Sequence, residues 1–204
     1  MAAHEMGETA SLLPFAPIGQ SEVSSALDTL VLAFISDPVE RWLYPEPHRY
    51  LMQFPRFLSA FAGRAFAEQT AWKLGECAAV ALWLPPGTGP DGDAIVNVLA
   101  ETVPPDKHAD TFATLEQMDD AHPAYPHWYL PWFGVDGALQ GRGLGGRLME
   151  HCLKLVDASH SPAYLETPNP RTIAFYERHG FEVVGVAQAG ACPPVTLMHR
   201  ASRA

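Results

Sequence analysis

Residues 140–157 read QGRGLGGRLMEHCLKLVD, with four glycines among the first seven positions and a helical pattern beginning inside them. The first amides of a helix have no intrahelical acceptor and carry its partial positive charge, so a glycine-rich approach to a helix is a seat for an anion. Glycine also tolerates positive φ and lets a backbone come close to a phosphate, which side chains at Gly143 or Gly145 would obstruct. From there Leu144, Leu148, Cys152, Leu155 and Val156 recur at steps near three and four, which assigns one helix face to the core. Glu150 and Lys154 make an i,i+4 pair on the exposed side, worth a few tenths of a kcal/mol.

The same glycines satisfy two patterns. Gly141, Gly143 and Gly146 fit the dinucleotide fingerprint G-x-G-x-x-G, and Glu166 lies about 20 positions further on, where that fold keeps an acid for a ribose hydroxyl. Gln140, Gly143 and Gly145 fit a second pattern, Q-x-x-G-x-G. The dinucleotide turn leaves its strand directly, whereas DGALQ (136–140) separates these glycines from the aromatic segment before them. About 60 residues follow Gly146, too few for the remainder of a doubly wound sheet. The second pattern is therefore the better owner of the loop.

The flanking chain supplies the rest of the architecture. Apolar residues at helical spacing predict a helix over 21–35, ended by Asp37-Pro38, and a second over about 48–66 that Pro55 must kink or interrupt. DPVERWLYPEP (37–47) between them reads as an aromatic loop. TAWKLG (70–75) and CAAVALWLPPG (77–87) read as a hairpin, with helices predicted near 93–102 and 106–120. HWYLPWFGVDG (127–137) is a strand, which Pro131 bars from being fully paired and central at that point. After the glycine loop and its helix come a strand AYLET (163–167), a helix PRTIAFYERHG (170–180) closed by Gly180, and strands over 181–188 and 194–200. The order predicts an α+β fold, a mixed sheet with helices packed on it.

Composition bounds the function. At 204 residues and 48% hydrophobic the chain buries a full core and fits one domain over 1–204, with residues 1–10 expected to be a mobile tail. It contains no apolar run of about 18 residues and no basic segment leading into an apolar stretch, so a cytoplasmic protein without a membrane partner is expected. A net charge of -10 argues against a nucleic-acid surface; any selection it exerts favours a cationic small molecule. Cys77, Cys152 and Cys192 are scattered without C-x-x-C spacing, and His122 and His127 lack a third ligand at sensible spacing, so no disulfide framework and no metal site are expected.

The runs FGVDGALQGRGLGGRLME and YLETPNPRTIAFYERHGFEVVG together resemble the acyl-CoA-binding core of the GNAT N-acetyltransferases, strongly over 126–186 and more weakly over 1–70. The layout, including AAVALWLPPG and HWYLPWFGVD, is similar to the branch containing puromycin N-acetyltransferase. The resemblance implies a mostly antiparallel sheet splayed at two parallel strands, acetyl-CoA as co-substrate, a small-molecule amine as acceptor, and a monomer or homodimer. It assigns the pantetheine arm to main-chain groups of Phe133, Gly134 and Val135. The CoA pyrophosphate goes to Gln140, Gly141, Arg142, Gly143, Leu144, Gly145 and Gly146, with Arg147 as a further source of charge. It places Asn169 against CoA and Tyr176 beside the CoA sulfur, where a phenol can protonate the leaving thiolate.

The general base and the acceptor site are left open. An alkylamine with a pKa of about 10.4 costs on the order of 4 to 5 kcal/mol to deprotonate at pH 7. His127, Glu40, Glu166 and a water chain are all candidates. Trp42 and Tyr44, with Trp83, are the aromatics expected around an acceptor cleft. A CoA-binding sensor without turnover is the alternative from another class, against which the presence of Tyr176 weighs.

Overall fold

The computed structural model describes residues 13–203, so the tail expected over 1–10 lies outside the described residues. A seven-stranded sheet runs in the order β1-β2-β3-β4-β5-β7-β6. Its strands are β1 (Phe15–Pro17), β2 (Ala71–Leu74), β3 (Ala79–Leu84), β4 (Trp128–Val135), β5 (Ala163–Thr167), β6 (Glu182–Ala187) and β7 (Val195–Arg200). Only β4 and β5 pair in parallel; the other neighbours are antiparallel. The α+β fold expected from the sequence is therefore the fold observed, a sheet opened at its one parallel pair.

The helices are α1 (Val23–Ala33), α2 (Pro38–Leu43), α3 (Pro47–Ala62), α4 (Arg64–Ala67), α5 (Gly92–Thr102), α6 (His108–Ala121), α7 (Leu144–Ala158) and α8 (Pro170–Arg178). None of the described helices is long and apolar enough to cross a membrane. Two readings of the sequence change. The loop expected over 37–47 contains α2, because Asp37 is an N-cap and not a terminator: its carboxylate accepts from the Val39 and Glu40 amides, and Pro38 occupies the first turn. Pro55 does not interrupt α3, which runs on to Ala62 before Gly63. Its missing N–H removes one helical bond, and the burial of Phe54, Phe57, Leu58 and Phe61 on the same helix outweighs that loss at roughly 1.5 to 3 kcal/mol per side chain.

Two cores lie on opposite faces of the sheet, and β3 divides itself between them with a strict period of two. Val80, Leu82 and Leu84 pack under α1, α3 and α4; Ala79, Ala81 and Trp83 pack under α7. The buried face of α7 is Leu144, Leu148, Met149, Cys152, Leu153 and Val156, while Leu155, expected on that face, is 41% exposed. An ideal helix admits both phases at that turn, and the sheet selects Leu153. Gly134 of β4 is fixed by packing: a Cβ there would lie 2.7 Å from Ala33 Cβ, so the end of α1 rests directly on the strand.

Candidate active site

Along β4 the alternation of faces slips at Pro131. Tyr129 and Leu130 point to opposite cores, as do Trp132 and Phe133, yet Pro131 and Trp132 both line the same cavity. The register with β3 shifts across the same point, from Tyr129 opposite Leu84 to Trp132 opposite Leu82, which is a β-bulge. The parallel ladder to β5 covers only Trp128–Leu130. Proline has no N–H to offer that ladder, so β4 and β5 part here. β4 is central in the sheet and, as Pro131 predicts, is not fully paired at that point, where the bulge falls. Beyond it, the β5-facing edge of Phe133, Gly134 and Val135 looks into open space.

That space is a cleft of about 1120 Å³ walled by Phe133–Val135, the glycine loop, the start of α7 and one side of α8. Gly141 and Gly143 take φ of +76° and +75°, and Gly143 caps α7 in the left-handed region. A Cβ built at Gly141, Gly143 or Gly146 meets nothing within 4 Å among the described residues, so the backbone here borders an open concavity at a helix N-terminus. Gly145 differs: a Cβ would stand 3.3 Å from Val135 Cγ2, which makes this glycine a packing contact. Leu144 puts its side chain in the core and presents its backbone to the cleft.

Gln140 lines the cleft and its side-chain amide donates to the Val135 carbonyl at 3.1 Å, tying the loop to the strand end. Asn169 lines it too and caps α8 by accepting from the Arg171 amide at 3.1 Å. The two loop arginines look elsewhere. Arg142 donates to the Ala138 carbonyl and is not among the cleft walls; Arg147 donates to the Leu13 carbonyl with its guanidinium over the Phe15 ring. The positive charge of the cleft comes from Lys154, Arg171, Arg178, Arg200 and Arg203, which sequence reading missed because their elements meet only in the fold.

Tyr176 projects from α8 into the cleft wall and is 7% exposed. Burial raises its phenol pKa well above the usual tyrosine range, and the Asp37 carboxylate acts in the same direction. The phenol therefore holds its proton throughout the physiological range.

On the far side of the bulge lies a small apolar cavity of about 80 Å³. Phe34, Phe57, Phe61 and Trp132 form its aromatic wall, and the rings meet edge to face. Two carboxylates enter it, Glu40 from α2 and Glu166 from β5. Burial pushes the Glu40 carboxyl well above the usual range, with Asp37 adding to the shift, and its Oε2 has no hydrogen-bond partner among the described residues. His127 stands behind this cavity, linked to it through His122. Trp42 and Tyr44 do not reach it. Tyr44 is 1% exposed with its hydroxyl 2.9 Å from Thr102 Oγ1, and the Trp42 ring carries the Lys107 ammonium. Trp83 is buried on the opposite face under α7. The three cysteines are free and buried; burial raises the Cys152 thiol to about 12, so it supplies no thiolate.

Asp37 itself is 4% exposed, and burial raises its carboxyl from 3.8 to about 6. The sign follows from proton linkage: the folded state binds the proton more tightly, so stability is full below about pH 4 and falls as pH rises through 6, by on the order of 3 kcal/mol. Glu40 acts in the same direction. Asn at position 37 keeps the N-cap acceptor and removes the charge. Asp37→Asn is expected to melt higher than wild type at pH 7.5, with the gap closing toward pH 4. A gap constant from pH 4 to 8 in thermal melts would show that the carboxylate carries no such penalty.

Comparison with known proteins agrees with the geometry. An uncharacterized N-acetyltransferase of Schizosaccharomyces pombe is 27% identical over 184 residues, covering 78% of this chain and 70% of its own. The structure of a histone acetyltransferase HPA2 and related acetyltransferase from Corynebacterium glutamicum superposes with a TM-score of 0.68 at 22% identity, over 94% of this chain and 97% of that one. Arylalkylamine N-acetyltransferase 2 of Aedes aegypti does so at 0.63 and 12% identity, over 94% and 100%. Residues 33–181 match the acetyltransferase (GNAT) family, whose co-substrate is acetyl-CoA, and span both the glycine loop and Tyr176. The chain belongs to the GNAT family and is an N-acetyltransferase.

Proposed function

We propose that this chain moves an acetyl group from acetyl-CoA to the primary amine of a small molecule with an apolar body, by direct attack in a ternary complex. The observation that carries this reading is the division of labour along one strand. Pro131 and Trp132 wall the apolar cavity, Phe133–Val135 wall the cleft, and the bulge between them is where the two ligands would meet.

The residues present suit acetyl-CoA. The unobstructed face over Gly141, Gly143 and Gly146 accommodates a pyrophosphate, and the α7 amides supply partial positive charge to it. The free edge of β4 offers backbone groups to the pantetheine amides. Arg171, Arg178 and Arg203 surround the outer cleft, where the nucleotide phosphates would be compensated. When bound, acetyl-CoA supplies an activated acyl group. Tyr176 donates a proton to the sulfur as it leaves. Glu166 takes the proton of the attacking ammonium, because Glu40 is held neutral by burial and is suited to hydrogen-bond the acceptor. Cavity walls of Phe and Trp select an apolar body, in keeping with the arylalkylamine activity of the mosquito protein.

We place the chain, as one acyltransferase domain, in the puromycin N-acetyltransferase-like branch, acting in the cytoplasm as a monomer or homodimer. Its acidity speaks against a nucleic-acid partner. The test is thiol release from acetyl-CoA with phenethylamine, tyramine, putrescine, agmatine and puromycin. Release should be fastest with the aromatic amines. Acetyl-CoA that raises the melting temperature while no amine accelerates release would instead favour the CoA-binding sensor.

A further inference from the structure

The α6–β4 connection holds two histidines whose tautomers can be worked out from their partners. His127 Nδ1 lies 2.7 Å from the Tyr125 carbonyl, and a carbonyl only accepts, so that nitrogen carries the proton. Burial lowers the His127 pKa, which keeps the ring neutral and leaves its Nε2 bare. Nε2 of His127 faces Nε2 of His122 at 2.9 Å. The His122 nitrogen must therefore be the donor. Neutral His122 is then bare at Nδ1, and that lone pair points at Glu166 Oε1, 3.8 Å away. The other oxygen of Glu166 accepts from the Tyr129 hydroxyl. The carboxylate side chain is 6% exposed against 26% for His122, so the chain of groups leads from the cavity toward water.

A bare imidazole nitrogen opposite a carboxylate oxygen is one half of a hydrogen bond, and it is placed to receive a proton from that oxygen. The contact becomes a hydrogen bond once Glu166 is protonated, and 3.8 Å leaves room only for the two groups to close, not for a water between them. We infer that His122, backed by His127, is the proton acceptor for Glu166, and that the pair discharges to solvent the proton each turnover removes from the substrate ammonium. This rests on Glu166 as the base of the reaction proposed above. In bonds, the ammonium N–H breaks as a Glu166 O–H forms; that O–H breaks as His122 Nδ1–H forms; the resulting imidazolium, its Nε2–H held by His127, loses one proton to water at the 26%-exposed His122 ring, which restores the starting tautomers. Nothing is oxidised or reduced.

The setting supports a relay over a packing role. Tyr129 and Tyr164 stand edge-on to the His122 ring, both with centroids at 4.8 Å, which fixes its plane. Tyr164 also flanks His127. The titratable groups facing the pair are Glu166 and Tyr164 from β5, Tyr129 from β4, His199 from β7 and Tyr125 from the connection itself. The Tyr129 and Tyr164 phenols are raised by burial and stay protonated.

Two measurements test it. The first needs no substrate: ¹⁵N–¹H correlation spectra of the histidine rings should show His127 as the Nδ1–H tautomer and neutral His122 as the Nε2–H tautomer. Glu166→Gln should move the His122 ring resonances and leave those of distant His48 in place. His122 found as the Nδ1–H tautomer, or indifferent to Glu166→Gln, overturns the inference even where no amine is turned over. The second uses acetyl-CoA and whichever amine of the panel reacts fastest. His122→Gln should lower kcat by about 10- to 100-fold at pH 7, within the range of acid–base contributions. The loss should shrink toward pH 10, where the amine sheds its own proton, and added imidazole should restore part of the rate. A loss independent of pH and of imidazole would mark His122 as structural only. Failure of the wild type with every amine would count against the function proposed, and the ring spectra would still decide the relay.

Discussion

Tyr176→Phe is expected to lower kcat by about 100-fold while leaving acetyl-CoA binding within about twofold. The phenol sits in the cleft wall at 7% exposure on α8, whose other cleft residues hold its backbone independently of the hydroxyl. Phe fills the same volume, so no cavity opens and the packing against Phe175 and Phe181 persists. What disappears is the proton. Burial keeps it on the oxygen at neutral pH, and an acid positioned at a leaving group contributes 10²- to 10⁴-fold. The low end is expected, because a thiolate leaves tolerably well unprotonated, with a thiol reference pKa of about 8.5. Rapid-mix kinetics combined with thermal shift by acetyl-CoA reads both quantities. Rate and binding falling together would assign Tyr176 to holding the co-substrate and remove it from the chemistry.

The same residue shows how far the sequence carried. The glycine loop, α7 and the FYERHGF helix are contiguous segments, so the residues that wall the cleft from Phe133 to Tyr176 were legible as local patterns. The helix phase was less so: Leu153 and Leu155 fit an apolar stripe almost equally, and only the sheet beneath distinguishes them. The apolar cavity was not legible, because its walls come from α2, α3, α6, β4 and β5 and become neighbours only after long-range packing. Trp42 and Tyr44 are the aromatics of the 37–47 segment, which the sequence pattern alone does not distinguish from a loop. Once Asp37-Pro38 is read as a cap and first turn, that loop becomes α2, and it is Glu40 that α2 delivers to the cavity. The charge lining the cleft was hidden for a similar reason. Arg142 and Arg147 adjoin the glycines in sequence but bond to Ala138 and Leu13, whereas Arg200 and Arg203 arrive from the far end of the chain.

Arg200 carries the second large expectation. It is 2% exposed on β7, donates through Nε to the His179 carbonyl, and meets Asp157 at the end of α7 with two bonds of 2.6 and 2.9 Å. This fork ties α7, α8 and β7 together behind the cleft. Asp157→Ala leaves a guanidinium buried without its counter-ion, a situation that costs 3 to 5 kcal/mol when both partners are deep. Asp157 is 31% exposed, so water recovers part, and a loss of about 2 to 3 kcal/mol is expected, roughly 5 to 10 °C in melting temperature for a chain of this size. The origin of the loss is separable from its size. If the stranded charge is responsible, Asp157→Ala combined with Arg200→Met should be more stable than Asp157→Ala alone, since the apolar chain fills the site without needing a partner. Acetyl-CoA should protect the single variant more than the double, because the freed guanidinium lines the cleft and faces the anionic ligand. Additive losses in thermal melts would mean that packing at the α7 terminus matters and the ion pair does not.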